Sequence, residues 1–427
     1  MKKLNLKRYF EGFDNIIRSL LIISLFLFFL TFFVFEEMAR WNYTTYVPAA
    51  ALVALCLIYY VKKKIVPNVK PLIPIYVFVG IAYFVSLIVN PIAALTYKTL
   101  LVLAFFATTI YLSCFIIKDT KAILWAMLLG GLIFCAAYFG VYWKEILKLN
   151  FSKRLGSFFG NENSIGMKLC VSAALLGSIC IYSKKYWALV FDLPVFVLIF
   201  STGSRTAVLQ AGIIVVYFIF AAFRKKIKLA VIISLAAIVL FVLAIYLLPP
   251  FEALKKRFVD SIDQVLGISA SDTSTFTRQF FRDDAFYLSF KKLLTGYGVN
   301  GFCNASGTGT YSHNNISELL CDFGIFGLIS HYAIYLCIAF KLLRNAKKPR
   351  VDWAYFVLLL CDLLTAITAI TYYDKMLFVL FALCIFVNET NKDPEDEMRQ
   401  ESAKESSADE QNHEQQEAAC AEQPQIF

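Results

Sequence analysis

The sequence of 427 residues predicts an all-α, polytopic membrane protein with about twelve transmembrane helices. Three observations carry this prediction. Apolar residues make up 59% of the chain and the mean hydropathy is +0.65, well above the roughly 45–50% apolar usage of soluble domains. The apolar residues are gathered into runs long enough, or nearly so, to cross a hydrocarbon core of ~30 Å. The cationic residues between those runs fall alternately on one side and then spare the other.

The runs lie at 16–35, 46–61, 71–90, 96–117, 121–142, 164–182, 186–201, 205–223, 228–248, 315–340, 351–370 and 374–388. Those at 46–61 and 186–201 are the shortest. The basic segment Met1–Arg8 precedes a run long enough to stay in the membrane as an anchor, with no cleavable signal pattern. Residues 1–388 therefore read as one membrane domain, with a long polar loop, 249–314, between the ninth and tenth runs. Residues 389–427 form a tail rich in Glu, Gln, Ser and Ala, with about nine more acidic than basic residues. It has too little apolar surface to offset its ordering entropy and is expected to be disordered. Nine of the eleven cysteines sit inside apolar runs, where Cys behaves as a small hydrophobe, and no C-x-x-C spacing occurs. No metal site, P-loop or dinucleotide fingerprint is present, so metal- or nucleotide-dependent chemistry and nucleic-acid binding are not expected.

Positive charge sets the orientation. KKLNLKR precedes the first run, KKKIVPNVK follows the second, KDTK the fourth, SKK the sixth, FRKKIK the eighth and KLLRNAKKPR the tenth. All of these fall on one side, which the retention of Lys and Arg makes cytoplasmic, together with both termini. The other side carries FEEMARWNYTTY, the link Asn90–Thr96 and TYYD. Two outer loops break the rule, 143–163 and 249–314. A loop as long as the second is only weakly bound by it. The first holds Lys144, Lys148, Lys153 and Arg154 on the outside, which an anionic ligand would explain.

This topology places four polar clusters on the same outer face. In RLGSFFGNENS, Arg154 can donate a bidentate pair of hydrogen bonds to a phosphate, and Asn163 or Ser164 is suited to cap the following helix. The alternative is a capped loop with a snorkelling Arg. In STGSRTA, the turn leaves backbone N–H groups at a helix start, and Arg205 sits in the first turn, where a cation opposes the helix dipole. Ser204 either supports that site or is simply the N-cap. In the long loop, FEALKKRF suits an amphipathic helix lying on the membrane. SDTSTFTRQFFRDDAFYLSFKKLL suits a capped helix with Arg278 at its start as an anion contact and Arg282 in an exposed ion pair.

YSHNNISELL carries His313, one of three histidines in the chain, where water meets the tenth run. An imidazole with an ordinary pKa near 6.5 can accept a proton from a hydroxyl at neutral pH. Ser312 or Asn314 suits a cap, and Glu318, one turn on, either orients His313 or serves the helix N-terminus. Lys168, Asp192, Asp322, His331 and Asp362 lie within apolar runs, where they either line a path or pair across helices.

In order, spacing and shared side, Arg154-Leu-Gly-Ser-Phe-Phe-Gly-Asn161-Glu162-Asn163, the TGSR at 202–205, the loop Arg278, Gly296-Tyr297-Gly298, Ser312-His313-Asn314-Asn315 and Gly324-Ile325-Phe326-Gly327 resemble the O-antigen ligase and O-antigen or capsule polymerase superfamily. The resemblance spans Arg154 to Gly327. One departure is Glu162, where many members carry Pro. It implies a GT-C-like, metal-independent glycosyltransferase of the bacterial cytoplasmic membrane, without a cofactor. Such an enzyme takes glycan from a polyprenyl diphosphate on the outer face. By the same resemblance Arg154, Arg205 and Arg278 hold the diphosphate, and His313 activates the hydroxyl of the glycan acceptor; Ser204, Asn314 and Glu318 are candidate supporting residues. Expected partners are the polyprenyl-diphosphate-linked oligosaccharide, the acceptor, the lipid bilayer and a chain-length regulator. A polymerase that joins lipid-linked repeat units is the first reading. A ligase that moves finished glycan to lipid A core, protein or another wall acceptor is the second, and a solute transporter the third.

Overall fold

The computed structural model describes residues 2–38, 42–148, 151, 154–265, 273–345 and 353–390, so the acidic tail from 391 onward lies outside the described residues. The regular elements among them are all helical. The first half holds α1 (Lys2–Phe35), α2 (Tyr46–Lys63), α3 (Ile73–Val89), α4 (Pro91–Thr96), α5 (Thr99–Ile117), α6 (Thr120–Leu147), α7 (Glu162–Tyr182) and α8 (Asp192–Ser201). The second half holds α9 (Arg205–Ala222), α10 (Ile227–Leu247), α11 (Glu252–Val265), α12 (Thr273–Lys291), α13 (Gly301–Ser306), α14 (Asn315–Asn345), α15 (Trp353–Thr365) and α16 (Lys375–Thr390).

Nine stretches among the described residues, from Gly12–Phe35 to Asn315–Arg344, are long and apolar enough to cross a membrane. The run at 46–61 extends to Tyr43–Lys63 and is one of them. The other three expected crossings are shorter helices: Tyr186–Ser201, Trp353–Thr365 and α16. The reason differs along the chain. α16 is buried on every face from Leu377 to Asn388, so it runs through protein rather than along lipid. α10, by contrast, buries only Ala230 and Ser234 and turns Ile232, Leu235 and Leu240 outward, as a helix against hydrocarbon would. Inside, α1 packs on α6 and α2, α5 on α16, α7 on α8 and α9, and α14 on α3 and α12.

One break in this pattern builds the site. α14 kinks at Gly324, whose φ of +66° belongs to the left-handed side that L side chains rarely adopt. A Cβ there would run into the Leu294 carbonyl. The kink frees carbonyls that apolar surroundings would leave unsatisfied at a cost. The Gly296-Tyr297-Gly298 segment supplies the donors: Tyr297 N–H donates to Cys321 O at 2.8 Å and Gly298 N–H to Asp322 O at 2.7 Å. Ile325 N–H donates back to Leu293 O at 2.8 Å, and Val299 N–H to Ser86 Oγ of α3 at 2.8 Å. The long outer loop therefore does not stay outside the helix layer: at 293–302 it folds back into it. Asp322 completes the join, accepting from Phe302 N–H at 2.9 Å and from Tyr372 O–H at 2.6 Å.

Two more of the buried ionisable groups also find partners. Asp362 accepts from Tyr335 O–H at 2.8 Å, and the Lys168 ammonium lies 3.5 Å from Glu36 and 4.0 Å from Glu37. His331 packs edge-on among Phe78, Tyr332, Tyr335 and Phe381, and its ring nitrogens and the Asp192 carboxylate have no hydrogen-bond partner among the described residues.

α1 sets the depth of the molecule. Asp14, at the start of the apolar stretch of α1, pairs with Lys63 at the end of α2, at 2.8 Å. Glu37, just past the other end, faces the cleft described next. At 1.5 Å per residue the two carboxylates are about 34 Å apart along the helix, the thickness of a hydrocarbon core.

Candidate active site

The chain's polar clusters converge on one cleft of about 780 Å³ at the end of the bundle where Glu37 lies. Arg154, Arg205, Arg278 and His313 all line it. They come from the loop before α7, the first residue of α9, the second turn of α12 and the turn before α14. Burial and the charges of Arg257, Arg278 and Arg205 weaken the hold of Arg154 on its proton, and Glu162 opposes them. Three guanidinium groups therefore act on that of Arg154 across this space.

Each is held differently. Arg154 donates from Nη2 to Asn163 Oδ1 at 2.8 Å and lies 3.6 Å from the Glu162 carboxylate, while its Nε is buried with no hydrogen-bond partner among the described residues. The cap expected at Asn163 or Ser164 is instead Asn161, whose side chain accepts from Asn163 N–H at 2.9 Å, so α7 starts at Glu162. That shift leaves the Asn163 side chain to hold Arg154. Arg205 donates from Nη1 to the Arg257 carbonyl at 2.9 Å. Ser204 is the N-cap of α9: buried, its Oγ accepts from Ala207 N–H at 3.3 Å, and it does not line the cleft. Arg278 sits one turn into α12 rather than at its start, because that helix already begins at Thr273. Arg282 forms the exposed ion pair, with Asp283 at 2.9 Å.

His313 is a non-glycine residue at φ +59°, a conformation that its neighbours must enforce. Ser312 N–H donates to Glu318 Oε2 at 2.7 Å, Ser317 N–H to Asn314 Oδ1 at 3.0 Å, and Asn314 Nδ2 to Ile367 O at 3.0 Å. Asn314 is thus the cap of α14, and Glu318 fixes the backbone beside His313. The imidazole lies parallel to the Phe281 ring of α12 at 6.3 Å and against Tyr311 at 4.3 Å. Burial, with Arg278 beside it, pushes its pKa down to about 4, so at neutral pH the ring is uncharged and able to take a proton.

A further wall, adjoining the His313 turn, is the segment 365–374. Asn315 Oδ1 accepts from the N–H groups of both Thr371 and Tyr372 at 2.9 Å and so ties this wall to the His313 turn. Glu37, held by Asn161 N–H at 2.7 Å, and Asp374 give that side of the cleft carboxylates. There the cleft continues into a second cavity of about 320 Å³ that shares Glu37, Ser164, Met167, Ile370 and Asp374 with it. Beyond it the carboxylates of Glu36 and Glu37 lie beside Lys168 and Lys375, so the second cavity mixes both signs.

Several of these residues are not signalled by the sequence. Arg257 is one cation among three in the KKR of α11, whose position on a surface helix hides which of them turns inward. Glu37 reads as part of a short outer link. Asn315 is adjacent to a motif but marked by nothing except its neighbours.

Residues 188–332 match the family model Wzy_C, O-antigen ligase. The matched segment contains Arg205, Arg257, Arg278 and His313, whereas Arg154 precedes it. No curated protein matches this chain. Over this matched segment the chain is similar to the O-antigen ligase family, which supports the resemblance to the O-antigen ligase and polymerase superfamily.

Proposed function

From that similarity, we propose that the chain is a polysaccharide polymerase that transfers glycan from a polyprenyl diphosphate to a lipid-linked acceptor on the outer face of the cytoplasmic membrane. The observation that carries this reading is the cleft itself: Arg154, Arg205 and Arg278 line it together with an uncharged His313. The orphaned Nε of Arg154 fits an anion as its partner. Guanidinium groups bind phosphate oxygens bidentately and stabilise charge that develops on them.

The chemistry needs little else. The acceptor hydroxyl oxygen bonds to the anomeric carbon while the bond from that carbon to the diphosphate oxygen breaks. The bonding electrons leave with the polyprenyl diphosphate, whose charge the arginines bear. The hydroxyl proton passes to His313.

A ligase uses the same donor chemistry and is equally compatible with the family match, and it is the second reading. The transporter reading draws no support from the match. A size ladder of surface and lipid-linked glycan from a deletion strain, rescued with wild type or His313→Ala, tests the proposal. Single repeat units with the mutant and a full ladder with wild type are expected. Long chains that form but stay on the carrier would make the protein a ligase, and an unchanged ladder in all strains would remove glycan transfer.

A further inference from the structure

We infer that Arg257, on α11, binds the donor diphosphate as a fourth guanidinium and positions Arg205 for the same task. The inference rests on the cleft being the diphosphate site. α11 is amphipathic: Leu254 is buried against the bundle, and Lys256, Arg257 and Asp260 line the cleft. Arg257 Nη1 donates to Gly203 O at 3.0 Å, in the turn that leads into α9, and the Arg257 carbonyl accepts from Arg205 Nη1 at 2.9 Å. The two arginines thus tie α11 to the start of α9 from both directions. The Arg257 charge is also among those that act on Arg154, so its side chain reaches Arg154 while its carbonyl holds Arg205.

An amide or a hydroxyl would serve the Gly203 carbonyl; a guanidinium adds further donors and a charge that acts on Arg154. A diphosphate spreads its charge over two phosphoryl groups, and a guanidinium fork recognises each by paired hydrogen bonds. The fourth arginine is therefore read as the one that makes the cleft prefer a diphosphate to a monophosphate.

The test is equilibrium binding of geranylgeranyl diphosphate and geranylgeranyl monophosphate to the full chain purified in detergent. Wild type is compared with Arg257→Gln, Arg257→Lys and Lys255→Gln, the last removing a charge from the same helix outside the cleft, where Lys255 lies 4.1 Å over the Tyr246 ring. Arg257→Gln is expected to weaken diphosphate binding by about tenfold or more and monophosphate binding less. Arg257→Lys is expected to fall between, because an ammonium keeps the charge and loses the fork. Lys255→Gln is expected to bind as wild type does. If Arg257→Gln does not fold, Arg257→Lys carries the test, with a selective loss of diphosphate affinity required. Wild-type affinity in the folded Arg257 variants, or an equal loss in Lys255→Gln, overturns the inference alone. A wild-type protein that does not bind the diphosphate overturns the reading of the cleft itself.

Discussion

At the scale of the residue, the proposed transfer turns on a histidine that is a weak base until its substrate arrives. His313 is held near a pKa of about 4 by burial and by Arg278. A general base works unprotonated, so activity is lost as pH falls through that value and is retained above it. The acidic limb of kcat/KM, which reports the free enzyme, is therefore expected near pH 4. A bound diphosphate offsets the Arg278 charge and strengthens the base, which places the limb of kcat at higher pH than that of kcat/KM. Arg278→Gln removes the like charge, and its kcat/KM limb should move upward; a pH–rate profile checks both shifts, and coincident limbs in all cases would contradict them. His313→Ala is expected to lower turnover by about 10²–10⁴-fold with expression intact. Arg278→Lys should lose about tenfold or more in kcat/KM, since the ammonium cannot make a bidentate contact.

At the scale of the element, the device is a broken helix whose freed carbonyls are taken up by a loop. Gly324→Ala should destabilise the protein by about 3 kcal/mol, because a Cβ at φ +66° is strained and meets the Leu294 carbonyl. A denaturation midpoint in detergent measures the loss. Asn315→Ala leaves the buried N–H groups of Thr371 and Tyr372 without their acceptor, at about 1–3 kcal/mol each. Faster hydrogen exchange over 366–372 is expected, and unchanged protection would show that this wall does not depend on Asn315.

How much of this was legible in the sequence differs by feature. The apolar runs predict the helices well, because lipid demands length and apolarity locally. Charge alternation places Arg154, Arg205, Arg278 and His313 on one face, and the structure brings all four to one cleft. The inward fold of 293–302 leaves no such trace: its hydrogen bonds run to carbonyls about 25 residues later, freed by a kink that one glycine permits. Capping shows the limit at single-residue precision. Asn161, Asn163 and Ser164 are all competent caps, and only the packed structure selects Asn161 and gives Asn163 to Arg154. Arg257 was hidden because periodicity shows that α11 has a polar face but not what that face meets.

At the scale of the whole molecule, the two ends differ in kind. One end carries the cationic links, such as Lys184 and Lys185, and the other the cleft. With the cleft facing outward, a membrane-impermeant maleimide applied to intact cells should label Thr308→Cys and spare Lys185→Cys in a background with the native cysteines replaced. The reverse pattern would invert the topology and put the donor site on the wrong side. The most direct test of the central claim is transfer in a purified system. The full chain in detergent is given its lipid-linked repeat unit, and release of polyprenyl diphosphate is followed alongside growth of the glycan. Wild type should release one polyprenyl diphosphate for each glycosidic bond formed, and His313→Ala should release almost none. Glycan growth at the wild-type rate in the His313 variant would contradict the account, as would a folded wild-type protein that binds the donor and releases nothing.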